Sequence, residues 1–105
     1  MAKAQPARTD PVRVDSKHYK VELENDKVRV LRAKYGAKEK STMHSHPASV
    51  AVFLSDAQFR FTFPDGKTED GTVQAGHVMY IDALDHLPEN TGSKPFEVLL
   101  IELKD

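Results

Sequence analysis

Five histidines are spread over this 105-residue chain, and three of them, His44, His46 and His86, are spaced so that their ring nitrogens could act together. In an extended strand, residues two apart point to the same face, about 6.6 Å from one another. Two imidazoles so placed can turn toward one ion at roughly 2.0–2.1 Å. A third histidine from another strand would complete a facial set of three neutral ligands. The same spacing fits a plainer arrangement, an exposed histidine pair at a loop–strand junction and an unrelated buried histidine. His18 and His77, beside the N-terminal stretch and the turn at Gly76, read as solvated polar residues. No Gly-x-Ser-x-Gly elbow supports a hydrolytic triad, and no glycine-rich loop could cradle a phosphate. With no Cys, a thiol nucleophile, a disulfide and a Cys-ligated zinc are all excluded.

The elements that must carry these histidines show a period of two, not 3.6. Tyr19, Val21 and Leu23 alternate with Lys20, Glu22 and Glu24, which predicts a half-buried strand. Asn25-Asp26 turns the chain into a second strand, Val28 to Tyr35, and a polar loop follows from Gly36 to Thr42. Ser49 to Leu54 is a short apolar run. Phe59, Phe61 and Phe63 alternate with Arg60 and Thr62 before the turn residues Pro64-Asp65-Gly66. Thr72 to Gln74, His77 to Ile81 and His86 to Asn90 predict further short strands. Phe96 to Leu103 is apolar on both faces, as a strand buried on both sides would be. About eight short strands without a helix indicate an all-β, antiparallel sandwich or barrel. The expected organisation is a flexible N-terminal arm over residues 1–16 and a single β domain over 17–105.

Gly36, His44-Ser45-His46, Gly76, His86 and Asn90 together resemble the two motifs of the cupin superfamily, G-x5-H-x-H-x3,4-E-x6-G and G-x5-P-x-G-x2-H-x3-N. The resemblance spans about Gly36 to Gly92. It implies a small jelly-roll β-barrel, often dimeric, with a divalent metal held inside by His44, His46 and His86. Four departures accompany it. The first Gly-to-His spacing is two residues longer, the Glu position falls at Val50 or Ala51, and the closing Gly falls near Ala57. In the second motif Asp82 and Leu84 replace the Pro and Gly, and His86 arrives one residue early. Without the Glu, three neutral imidazoles would leave the +2 charge of an ion uncompensated and several coordination positions open. An unbroken strand from His46 would point Val50 into the same cavity. All-imidazole ligation suits Zn, Fe, Ni, Co or Cu rather than Ca or Mg. The implied function is a metal-dependent, dioxygenase-type enzyme acting on a small molecule. The alternative is a non-catalytic cupin that binds a small ligand or has lost its metal.

Other residues read more simply. Asn90, in Asn-Thr-Gly, has the chemistry of a turn residue. Gln58 and Arg60 share the strand face opposite Phe59 and Phe61, a solvated or dimer face. The pairs Val78/Tyr80 and Met79/Ile81 lie on opposite faces, and sequence does not say which faces inward. The 15 Lys and Arg against 16 Asp and Glu give a net charge of -1, which excludes nucleic-acid binding through a basic face. The longest apolar run, Val50 to Leu54, is far short of the ~20 residues of a membrane span. The first sixteen residues lack the apolar core of a signal peptide, so a cytoplasmic protein is expected, or a periplasmic one whose signal has been removed.

Overall fold

The computed structural model describes residues 9–104. Nine antiparallel strands follow one short helix: α1 (Pro11–Val14), β1 (Tyr19–Glu24), β2 (Val28–Tyr35), β3 (His44–His46), β4 (Ser49–Phe53), β5 (Ala57–Thr62), β6 (Thr68–Val73), β7 (Val78–Ile81), β8 (Leu84–Asn90) and β9 (Phe96–Leu103). A five-stranded sheet, β1-β2-β9-β4-β7, faces a four-stranded sheet, β3-β8-β5-β6. The all-β jelly-roll expectation is met, with nine strands where sequence gave about eight.

The inner faces are set by strict alternation. In β9, Phe96, Val98, Leu100 and Glu102 are buried between the sheets while their neighbours face out. Leu31, Ala33 and Tyr35 of β2 and Ala51 and Phe53 of β4 complete that wall. Phe59 of β5 packs from the opposite sheet, and Gly71 on β6 makes room for it: a Cβ there would lie 2.4 Å from the Phe59 ring. Met79 and Ile81 pack against the core, whereas Val78 and Tyr80 face outward, which settles the faces of β7.

Two expectations fail here. In β1 only Tyr19 is buried, because β1 is an edge strand and a bulge between Val21 and Leu23 turns Leu23 to the outer face. Of the expected arm over residues 1–16, residues 1–8 lie outside the described residues, and residues 9–16 are built into the fold. Asp10 caps α1 by accepting from the Val12 amide, Pro11 occupies the first turn, and Asp10, Pro11 and Asp15 are buried. Thr9 accepts a hydrogen bond from the Ser45 amide at 3.0 Å, closing the otherwise free edge of β3. Sequence missed this because four residues give no helical period to detect.

Candidate metal centre

β3 and β8 run antiparallel with His44 opposite His86 in register, and His46 follows two residues along β3. Period-two geometry therefore turns all three side chains inward, and all three are buried. Their ring centroids form a near-equilateral triangle of 4.8, 4.9 and 5.1 Å, with ring planes 84–90° apart. Each ring offers a nitrogen within 4.8 Å of the other two. A facial set at ~2.0–2.1 Å bond lengths needs nitrogens roughly 3.0–3.4 Å apart, so the rings would turn toward one another on taking up an ion.

Hydrogen bonds fix which nitrogens point inward. His44 Nδ1 donates to the Thr42 carbonyl at 2.8 Å, and His46 Nδ1 donates to Glu102 Oε2 at 3.0 Å. With the protons on Nδ1, both Nε2 atoms carry free lone pairs. Those two atoms, and both nitrogens of His86, are buried without any partner. Buried polar atoms are nearly always paired, and an orphan costs about 1–3 kcal/mol. Three of these orphans, one from each ring, face one another, and a single missing ligand would satisfy them. Burial, reinforced by His46 nearby, lowers the pKa of His44 to about 4 and that of His86 to about 2, so both rings are neutral near pH 7. Neutral imidazole is the ligating form.

Beside the histidines the inter-sheet space is walled by Tyr19, Tyr35, Phe53, Phe59, Phe61 and Phe96. The space open to the centres of water molecules is about 40 Å³, room for a few waters at ~10–15 Å³ each. Tyr19 and Tyr35 share a 2.7 Å hydroxyl–hydroxyl hydrogen bond, and Tyr19 stands edge-on to His44 at 5.0 Å. Burial, with Tyr35 adjacent, holds the Tyr19 pKa well above its usual value, so its hydroxyl keeps its proton.

Val50 does not reach this cavity. β3 ends at His46, Pro47 and Ala48 carry the chain into the other sheet, and the alternation restarts with Ser49, Ala51 and Phe53 inward. Val50 instead pairs outward with Tyr80 and Ile101. The inward position in the Glu region of the motif is Ala51. His18 is not solvated either: it is buried, stacked on Tyr35 at 4.3 Å, with Nδ1 at 2.8 Å from Asp15 and Nε2 at 3.0 Å from Glu39. His77 is exposed. Asn90 is a structural staple, donating to the Tyr35 and Lys94 carbonyls and accepting from the Gly92 amide. Arg60 lies on the solvated face, paired with Asp70. Sequence reasoning missed Glu102, whose one available signal was a charge at the same strand parity as Phe96, Val98 and Leu100.

No family model and no curated protein matches this sequence. Solved structures do. A cupin domain from Bordetella pertussis superimposes with a TM-score of 0.76 at 19% identity, over 83% of this chain and 92% of that one. The chain folds as a cupin. An RmlC-like cupin family protein with a double-stranded β-helix fold, from Methanocaldococcus jannaschii, gives 0.64 at 15% identity, over 99% of this chain and 90% of that one. DMSP lyase DddQ from Ruegeria pomeroyi gives 0.60 at 15% identity. That match covers 87% of the present chain but 49% of the lyase, so the chain spans about half the lyase's length. At these identities the likeness is one of fold, and cupin-fold chains differ in their chemistry.

Proposed function

We propose that this cupin-fold chain is a metal-dependent, oxygenase-type enzyme of small-molecule chemistry, with a divalent transition ion ligated by His44, His46 and His86. The observation that carries the reading is the convergence of three buried rings on one point with no partner for the facing nitrogens. When bound, an ion of the Zn, Fe, Ni, Co or Cu group would supply Lewis acidity or, for the redox-active members, dioxygen chemistry. The protein's own contribution is threefold. His44 and His46 are held in the ligating tautomer by Thr42 and Glu102, the aromatic wall limits water, and three-point attachment leaves positions for a chelating substrate. The small cavity favours a compact substrate with apolar bulk and an anionic end.

A non-catalytic reading, a cupin that only binds a small ligand, has one observation in its favour. Apart from the histidines, the titratable groups facing the cavity are Tyr19 and Tyr35, and these bond each other. Cobalt spectroscopy separates the two. On adding oxalate to Co²⁺-loaded protein, the enzyme reading expects the visible bands to shift as a chelating dianion enters open positions. An unchanged spectrum would mean a closed site and sink the enzyme reading.

For quaternary structure we propose a homodimer through the outer face of the five-stranded sheet. Leu23, Val30, Ile101, Val50 and Tyr80 lie in one registered row across all five strands, and Tyr80 is 59% exposed. The other sheet presents Gln58, Arg60, Asp70, Thr72 and Glu89 outward. The five strands, of 6, 8, 8, 5 and 4 residues, at ~4.8 Å spacing and ~3.3 Å per residue make a face of roughly 500 Å² before side-chain relief, against the ~800 Å² per partner of a stable interface. Sedimentation should give a dimer that Tyr80→Lys with Val50→Glu turns monomeric; a monomeric wild type ends the proposal.

A further inference from the structure

Glu102 comes from the last strand, on the sheet opposite the one that carries all three candidate ligands, yet it is tied to one of them. It is 3% exposed. Its Oε2 accepts from His46 Nδ1 at 3.0 Å, and its Oε1 accepts from Arg29 Nε at 2.8 Å. Arg29 and Glu102 are register partners on β2 and β9. The two remaining Arg29 nitrogens donate to Asp10, the cap of α1, at 2.9 and 3.0 Å. The result is one continuous chain running from a half-buried arginine pair into the core: Asp10, Arg29, Glu102, His46. Every oxygen and nitrogen in it is paired except His46 Nε2, which faces the other histidines.

We propose that Glu102 is the positioning residue of the metal centre, standing one hydrogen bond behind the ion in place of a direct carboxylate ligand. This rests on the metal reading above. Glu102 does two things there. It keeps the His46 proton on Nδ1, leaving the Nε2 lone pair for the ion, and it places a negative charge where three neutral rings provide none. Arg29, clamped by Asp10, fixes the carboxylate so that one oxygen always faces His46. The N-terminal segment is thereby part of the site's support: α1 orients the arginine that orients the carboxylate that orients the ligand.

The geometry makes a specific demand of Glu102→Gln. Arg29 can only donate, so the amide oxygen must turn to Arg29 and the amide NH2 to His46. His46 must then accept on Nδ1, move its proton to Nε2, and lose its lone pair toward the ion. Removing the arginine as well frees the amide oxygen to face His46 again.

Two readouts test this on the full chain. In metal-free protein, nitrogen chemical shifts of the His46 ring report the tautomer. In metal-supplemented protein, competition with a chromophoric chelator reports Zn²⁺ affinity. The wild type should show the Nδ1–H form. Glu102→Gln should show the Nε2–H form and lose ~10–100-fold in affinity. Arg29→Met with Glu102→Gln should regain the Nδ1–H form and recover most of the lost affinity, a rescue that a purely structural role would not give. Glu102→Gln with the wild-type tautomer and affinity overturns the inference, and so does a double variant no better than the single one. If Glu102→Gln fails to fold, the double variant is compared with wild type directly, and an Nε2–H ring in it overturns the inference. A wild type that binds no Zn²⁺ defeats the metal reading, while the tautomer measurement still decides the role of Glu102.

Discussion

His18 and the three clustered histidines are equally hidden from solvent, between 0 and 6% exposed, and differ in what their nitrogens meet. Both nitrogens of His18 lie within 3.0 Å of carboxylate oxygens, from Asp15 on one side and Glu39 on the other. The ring also stacks on Tyr35 with its plane 4° from parallel. In the cluster the rings stand at right angles, and the inward nitrogens meet nothing. A satisfied, stacked imidazole is a structural bracket, here joining the loop after β2 to the turn after α1. Unsatisfied, orthogonal imidazoles are a group that could hold an ion. Burial alone would have grouped all four; hydrogen-bond satisfaction separates them.

The sharpest way to break that comparison is to substitute His86. His86→Leu should abolish Zn²⁺ retention, with at least a hundredfold loss in chelator competition. The thermal midpoint of the metal-free protein should hold or rise, because two orphaned nitrogens disappear. A large loss of metal-free stability would show that His86 is a packing residue.

Next in size is a carboxylate placed beside the ligands. Ala51→Glu puts an unpaired carboxylate into an apolar cavity and should cost the metal-free protein several kcal/mol, a cost reduced when Zn²⁺ is added. Val50→Glu lies on the outer sheet face, so Zn²⁺ should raise its thermal midpoint only by as much as it raises that of the wild type. Equal responses of the two variants to Zn²⁺ would contradict the parity drawn for β4.

His18→Leu should do the reverse of His86→Leu. It leaves buried Asp15 with Ser41 as its remaining side-chain partner and should lower stability by about 2–3 kcal/mol in denaturant titrations. Zn²⁺ affinity should change by less than threefold. A loss of affinity as large as that of His86→Leu would merge the two classes.

The smallest effect is a slope. In the unfolded chain histidines take up protons near pH 6.5, whereas burial lowers the pKa of His44 to about 4 and of His86 to about 2 in the fold. Between pH 6.5 and 4 the unfolded state holds more protons, so falling pH favours unfolding, by about 1.4 kcal/mol per pH unit for each histidine. Urea titrations of metal-free wild type should show this loss. His86→Leu should show a shallower slope, and an identical slope would contradict the assignment.

How far the sequence carried can be read from β3 and its neighbours. Alternation in Tyr19–Leu23 and the apolar run Phe96–Leu103 made those strands legible, and His-x-His with His86 made the candidate ligand set legible, because pattern along a strand is a local property. β9 was read as buried on both faces, but only its Phe96, Val98, Leu100 and Glu102 side is. The Asp10–Arg29–Glu102–His46 chain was not legible, since it joins four elements whose proximity depends on sheet order. Val50 was misplaced because parity was carried through Pro47, where the chain leaves one sheet for the other. His18 was misread because its partners, Asp15 and Glu39, are brought to it by α1 and the loop after β2, neither of which has a period. Local pattern reports faces; it does not report which faces meet.

The central claim is that His44, His46 and His86 bind one ion together. X-ray absorption on Zn²⁺-loaded protein, freed of excess metal, measures this directly. The account predicts one ion per chain with three imidazole nitrogens at about 2.0–2.1 Å and the remaining positions filled by light oxygen donors. An ion bound by fewer than three imidazoles, or no ion retained at all, would contradict it.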